Sequence, residues 1–105
     1  MMAAFRAAMD RMFRDPHMSV AATHRAGGAG DGTPVRVIKR APDRFASFGD
    51  GRFVAESVLI DVRISEVSDL EPGDTFEIGA TIYEVRGEPV RDSQRLTWAA
   101  EARAL

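Results

Sequence analysis

The sequence predicts a mainly β fold: a small antiparallel β-barrel or sandwich of six or seven strands, with a short N-terminal α-helix and a mobile Gly-rich loop. Short runs that alternate apolar and polar residues recur along the chain, separated by turn residues. Two of these runs, 75–78 and 81–86, are split only by a Gly-Ala pair, a spacing typical of a β-hairpin. At 105 residues the chain has the size of one domain, and we assign residues 1–16 to the helix or arm and residues 17–105 to a single barrel.

The composition excludes several classes of protein. Fourteen basic and sixteen acidic residues give a net charge of −2, which argues against a nucleic-acid binder held by phosphate contacts, although a local basic face stays open. The chain has no cysteine, so a disulfide-stapled fold, a thiolate zinc site and a cysteine nucleophile are excluded. Apolar runs fall far short of the ~20 residues that span a bilayer, and the N-terminus lacks the pattern of a signal peptide. We therefore expect a soluble intracellular protein that does not contact a membrane.

Residues 1–14 are predicted to form the helix. Alanines favour a helix there, and large apolar side chains at helical spacing form one stripe: Met2, Phe5, Met9, Met12 and Phe13. The helix is expected to end at Asp15, because the residue before Pro16 is pushed out of the α region. Two interpretations of the stripe stay open. It packs against the chain's own sheet, or it docks a partner, since methionines suit adaptable apolar surfaces.

A Gly-rich stretch at residues 25–33 follows a first predicted strand at residues 18–24. It lacks the Lys-Ser/Thr ending of a phosphate-binding P-loop, and no helix pattern follows it. An exposed hairpin tip or interface loop is therefore the favoured interpretation, with Gly27, Gly28 and Gly30 as candidate interface residues.

Residues 34–40 alternate as a second strand, and the turn-rich segment after it holds Phe45 and Phe48. These two phenylalanines are expected to be anchored in the core or in a neighbouring molecule. A short strand is predicted at residues 52–55, and Arg52 at its start joins the two phenylalanines as a candidate interface residue.

The second half of the chain contains the clearest strands. Residues 58–65 alternate strictly and place four apolar side chains on one face: Val58, Ile60, Val62 and Ile64. A helical or 3₁₀ turn at residues 65–70 leads into the hairpin, and residues 88–94 are predicted to be a turn region. The last strand, residues 95–103, likewise has one apolar face, formed by Leu96, Trp98, Ala100 and Ala102.

The pattern contains no catalytic or metal-binding arrangement of residues. His17 and His24 are expected to be exposed and to bind no metal, because seven strand positions separate them by about 20 Å. Four acidic residues surround one turn: Glu66, Asp69, Glu71 and Asp74. They lack the residue order of a calcium-binding loop. Asp74 is expected only to be solvated or to cap the turn. No serine lies in a nucleophile-elbow context, so we expect neither an enzyme nor a bound cofactor.

The order of features from residue 58 onwards is specific enough to suggest a family. After the strand at residues 58–65 come the turn and strand ISEVSDLEPGDTFEIG, the strand TIYEV, a further turn and a final strand with Trp98. This order resembles the head–tail joining proteins of tailed phages and prophages, the small connector or stopper family typified by lambda-like phages. The N-terminal half is similar in kind, with its leading helix, the entry FRDPHM, the Gly-rich loop and the strand VRVIKR.

The resemblance implies a small barrel with mobile loops and no catalytic residues. It implies a ring of this protein, typically a hexamer, that lies below the portal and its adaptor. This ring would retain the packaged DNA, which passes through its channel, and present the surface for tail attachment. The implied partners are further copies of the chain, the portal or adaptor protein and the tail terminator protein. The implied location is the neck of a virion or phage-like particle, assembled in the host cytoplasm; a phage, a prophage and a gene transfer agent all stay open as the source.

An alternative function is that of a stand-alone binding module. The chain would then be an SH3- or OB-like barrel that binds a peptide or single-stranded nucleic acid. A nucleic-acid site of that kind needs exposed aromatic side chains beside arginines on one sheet face. Tyr83 and Trp98 instead lie on the apolar faces of their strands and are expected in the core.

Overall fold

In the computed structural model the described residues are 2–40 and 57–105. One α-helix and seven strands lie in these ranges: α1 Met2–Arg14, β1 Val20–Arg25, β2 Thr33–Arg40, β3 Ser57–Arg63, β4 Thr75–Ile78, β5 Thr81–Val85, β6 Val90–Arg91 and β7 Thr97–Ala104. A single 3₁₀ turn, Ala26–Gly28, follows β1. The strand predicted at residues 52–55 and the candidates Phe45, Phe48 and Arg52 lie outside the described residues.

Six of the strands form a closed antiparallel barrel in the order β1-β2-β3-β7-β5-β4. Strand β1 pairs with both β2 and β4, and the long β3–β7 pairing, from Ser57 opposite Arg103 to Arg63 opposite Thr97, joins the remaining strands. The predicted mainly β barrel with one N-terminal helix is therefore confirmed.

Strand alternation explains why the barrel has one apolar interior. In β3 every second side chain is buried, and Ile60 and Val62 are completely inaccessible to solvent. Phe76 of β4 is also fully buried. Each such side chain stabilises the fold by about 1.5–3 kcal/mol relative to an exposed one. The core consists of Ala22, Val35, Val37, Val58, Ile60, Val62, Val67, Leu70, Phe76, Tyr83, Val85, Ala100 and Ala102.

The predicted hairpin is also confirmed. Strands β4 and β5 pair from Thr75 opposite Glu84 to Ile78 opposite Thr81, and Gly79 adopts a φ of +60° in the turn. That positive φ is one that glycine adopts at little cost.

The region at residues 88–94, predicted to be only a turn, contains β6. Val90 and Arg91 pair with Ala99 and Trp98 of β7, beyond the end of the β5–β7 pairing. Asp92 makes this pairing possible, because its carboxylate accepts the backbone N–H groups of Leu96 and Thr97 and so reverses the chain. A two-residue strand is too short to show an alternating pattern in the sequence.

Helix α1 ends at Arg14, next to the predicted end at Asp15. The N–H of Asp15 still donates to the Arg11 carbonyl at 3.1 Å, and Pro16 then breaks the pattern. In the described part of the chain no helix is long and apolar enough to cross a membrane.

Candidate functional site

Helix α1 divides its predicted apolar stripe between the protein's interior and its surface. The side chain of Phe13 is fully buried against the barrel, whereas Phe5 and Met12 are 51% and 40% exposed. Met9 is half-buried between them. Successive helix residues are about 100° apart around the axis, so Met12 and Phe13 cannot both face the barrel. Phe13 is thus occupied within its own chain, and Phe5 and Met12 remain candidates for contact with a partner.

Arg63 of β3 fixes the helix to the barrel. Its guanidinium lies 3.1 Å from Asp10 in α1 and 3.0 Å from Glu66, and 5.2 Å from the centre of the Phe13 ring. The side chain of Arg63 is only 15% exposed. Charge-assisted hydrogen bonds in such a sheltered place are stronger than those at the surface.

A second set of contacts fixes the end of the helix. The buried hydroxyl of Ser19 donates to the Phe13 carbonyl at 2.6 Å and accepts from Nε and Nη2 of Arg36 at 3.2 and 3.0 Å. Arg36 also donates to the Ser19 carbonyl. The connection between α1 and β1 is therefore held to β2, and the exposed face of the helix has a defined orientation.

The start of the Gly-rich loop is fastened by Asp74. Oδ1 of Asp74 accepts the Gly27 N–H at 2.9 Å, and its Oδ2 lies 3.0 Å from Nε2 of His24 and accepts the Glu71 N–H at 3.3 Å. Asp74 is 4% exposed and the His24 side chain 12% exposed. The expectation that His24 is exposed and that Asp74 only solvates or caps its turn is wrong, because the β1–β4 pairing brings His24 opposite Phe76 and beside Asp74.

A cleft of about 440 Å³ opens beside the fastened loop. The three candidate glycines line it, together with the apolar side chains of Ile82 and Leu105. Glu77 and Glu84 also line it, and they pair with Arg25 at 2.8 Å and with Arg86 at 2.7 Å. We call this feature the loop cleft. The structure therefore gathers Gly27, Gly28 and Gly30 around one concave surface, away from α1.

A smaller cleft of about 270 Å³ lies between α1 and the barrel. Arg6, Met9 and Asp10 of the helix line one side, and Arg63 and Leu96 lie on the barrel side. Because Arg63 and Asp10 pair across it, this cleft is part of the contact that holds the helix.

The described residues bring together the groups of a contact surface rather than those of a metal centre. No three His, Cys, Asp or Glu residues within ranges 2–40 and 57–105 are arranged to hold a metal ion. Two members of the acidic cluster have protein partners instead, Glu66 with Arg63 and Asp74 with His24.

Tyr83 and Trp98, the aromatic side chains considered for a nucleic-acid site, pack in or against the core. Tyr83 is 9% exposed, and Trp98 is half-buried and packs against the core. The indole N–H of Trp98 donates to the Val67 carbonyl at 2.9 Å, and the guanidinium of Arg91 lies 5.1 Å from its ring centre. Tyr83 lies in the core, as expected. Trp98 packs against the core but is less buried than Tyr83.

Several residues of these sites were not found from the sequence, among them His24 and Asp74 in the loop fastening and Ile82 and Leu105 in the loop cleft. His24 has the same parity along β1 as the buried Ala22, so alternation could have placed it inward. The sequence carries no comparable signal for Ile82, because it lies on the opposite face of β5 from the buried Tyr83.

Comparison with known families gives a match over most of the chain. A family model described as Phage Head-Tail Attachment protein matches residues 2–102. The matched range runs from the start of α1 into β7 and so includes both the exposed helix face and the loop that lines the cleft. No curated protein matches the chain significantly.

Proposed function

This chain belongs to the phage head–tail attachment family, and from that premise we propose that it forms a ring in the neck of a tailed phage or phage-like particle. Membership makes it a virion component with a structural, connecting role between head and tail. In the proposed ring, copies of the chain, six by analogy with the family, lie below the portal and its adaptor. The ring retains the packaged DNA and presents the surface to which the finished tail attaches.

The observation that carries the proposal is the extent of the family match. It covers residues 2–102 of a chain of 105 residues and includes α1 and all but the end of the barrel. The conclusion therefore does not depend on one short motif.

Exposed apolar side chains support the step from family membership to an assembled ring. Phe5 is 51% exposed and Met12 40% exposed on α1, and Val90 is 65% exposed on β6. Large apolar groups at the surface suit a protein that completes its burial in an assembly.

The charge balance supports a channel through which DNA moves. A net charge of −2 gives the ring little overall attraction for phosphates. A wall of that kind lets DNA pass instead of binding it tightly. Retention of the DNA would then depend on a steric block at the channel, which the portal and adaptor share.

The proposed partners lie on the two sides of the ring, the portal or adaptor protein above and the tail terminator protein below. The proposed place of assembly is the host cytoplasm. Candidate contact regions are the exposed face of α1 and the Gly-rich loop, and for the predicted contacts at Phe45, Phe48 and Arg52 the proposal rests on the sequence alone.

The test is a deletion followed by complementation in vitro. Particles made without this chain should be DNA-filled heads that lack tails, or heads that have leaked their DNA. Adding the purified protein to such heads together with finished tails should restore tailed particles in electron micrographs. Normal tailed particles in the deletion would contradict the proposal.

A further inference from the structure

The loop cleft is an open concavity with uncovered backbone. A Cβ atom placed on Gly27, Gly30 or Gly73 would meet no heavy atom within 4 Å, so the space above these glycines is open. Ile82 and Leu105, which are 38% and 75% exposed, provide apolar surface in the same cleft. The cleft thus combines uncovered backbone with uncovered apolar side chains.

The exposed face of α1 presents a second uncovered apolar surface. Phe5, Ala8 and Met12 follow one another at helical spacing on the side that the barrel leaves uncovered. The first and last of them are about 10 Å apart along the helix. This row, which we call the outer stripe, is a convex apolar ridge.

Charge distinguishes the two surfaces. Arg6, Arg11 and Arg14 of α1 are exposed and form no ion pair with another described residue. At the loop cleft, Glu77 is paired with Arg25 and Glu84 with Arg86. Two exposed acids beside it, Asp31 next to Gly30 and Glu71 two positions before Gly73, have no ion-pair partner among the described residues. Among the described residues, the helix therefore has positive charge without an ion-pair partner, and beside the cleft the two such acids outnumber Arg103, which lies opposite Glu84.

We infer that the loop cleft of one copy receives the outer stripe of α1 from a second copy of this chain. No residue of α1 lines the loop cleft, and the burial of Phe13 and the Asp10–Arg63 pair hold the helix on its own barrel. An α1 that enters the loop cleft therefore belongs to another molecule. Two different surfaces meet in this contact, so it is heterologous and, repeated, closes a ring when the rotation per subunit permits. The inference rests on the proposed ring and identifies the contact that builds it.

The test is directed cross-linking, which suits this chain because it contains no cysteine. Met12→Cys places a thiol on the outer stripe and Ile82→Cys places one in the loop cleft, at positions that are already 40% and 38% exposed. A short bismaleimide is added to the full-length double variant at high protein concentration. The matched control pairs Met12→Cys with Val90→Cys, since Val90 is even more exposed and does not line the loop cleft.

The double variant should give a ladder of covalent oligomers in denaturing electrophoresis. Each single variant should stay monomeric, and a mixture of the two single variants should stop at dimers, because each molecule then has only one reactive surface. A Met12→Cys variant that dimerises by itself would replace the inference with a symmetric contact. Monomeric products from the double variant, or the same ladder from the Val90 control, would overturn it.

Addition of the unmodified protein to tailless heads separates this inference from the proposed function. If tails attach while the Met12–Ile82 ladder is missing, the contact is wrong and the connector function stands. If tails do not attach, the function itself is contradicted.

Discussion

Nε2 of His24 lies 3.0 Å from Oδ2 of Asp74, and the two side chains come from positions fifty residues apart. The contact joins the end of β1 to the turn before β4, at the point where the Gly-rich loop begins. Asp74 also accepts the Gly27 N–H, so one buried carboxylate holds a strand and a loop together.

Replacing this carboxylate should loosen the loop. Asp74→Ala leaves the N–H groups of Gly27 and Glu71 without their acceptor, and we expect a loss of about 1–3 kcal/mol in the free energy of unfolding. Amide hydrogen exchange at Gly27 should accelerate more than exchange in β3. Asp31→Ala is the control, an exposed loop residue whose replacement should change stability by less than about 0.5 kcal/mol. Unchanged exchange at Gly27 would show that Asp74 does not fasten the loop.

Two phenylalanines on one helix allow a matched comparison. Phe13→Ala removes a fully buried ring, and we expect it to cost about 3–5 kcal/mol in urea unfolding. Phe5→Ala, at a side chain that is 51% exposed, should change monomer stability by less than about 0.5 kcal/mol. In the complementation assay Phe5→Ala should nevertheless restore fewer tailed particles than the wild-type chain. Equal complementation would remove Phe5 from the contact surface.

Loss of Arg63 should loosen the helix on the barrel while the barrel stays folded. Arg63→Ala removes the partner of Asp10 and Glu66, at an expected cost of about 1–3 kcal/mol. Trypsin should then cleave after Arg11 and Arg14 faster than in the wild-type chain. Arg103→Ala is the control, because Arg103 is exposed and no ion pair forms there within the described residues. Equal cleavage in both variants would contradict the anchoring role.

Two glycines of the loop have similar backbone angles and different surroundings. Gly30 and Gly32 have φ values of +87° and +83°, so alanine at either position carries backbone strain of about 1–3 kcal/mol. At Gly32 the new Cβ would also lie 2.5 Å from Cγ2 of Thr23, whereas at Gly30 it would meet nothing within 4 Å. Thermal unfolding should therefore show Gly32→Ala to be less stable than Gly30→Ala by about 1–3 kcal/mol. Equal melting temperatures would mean that the loop relaxes away from β1.

Fluorescence of Trp98 distinguishes a connector from a stand-alone nucleic-acid module. Its indole N–H donates to the Val67 carbonyl and its ring packs against the core, so emission should be blue-shifted from that of free tryptophan. Single-stranded oligonucleotides should leave the emission unchanged. Quenching that saturates with oligonucleotide would favour the alternative, because base stacking requires an accessible ring.

Sequence patterns were sufficient for most of the architecture. Alternation placed Ile60 and Val62 inside, and the Gly-Ala pair located the β4–β5 hairpin, because both signals act over a few residues. Strand β6 could not be predicted from local alternation, since its two residues pair with β7 only because Asp92 reverses the chain.

The candidate site was predictable only in part. The helical period identified the apolar stripe of α1 but could not show which of its residues are buried. The barrel covers one side of the helix and leaves Phe5 and Met12 exposed. The His24–Asp74 contact depends on which strands become neighbours, and local pattern carries no information on a pairing across fifty residues.

Closure of the barrel has a consequence for the time before assembly. All six barrel strands have hydrogen-bonded neighbours on both sides, and within the described residues only the two-residue β6 offers an outer edge. Free strand edges are the usual route to uncontrolled aggregation. A subunit whose strands are paired in this way has little free strand edge through which it could aggregate before it meets its partners. In the proposed ring, contact would then be made by the α1 face and the loop cleft and not by strand pairing.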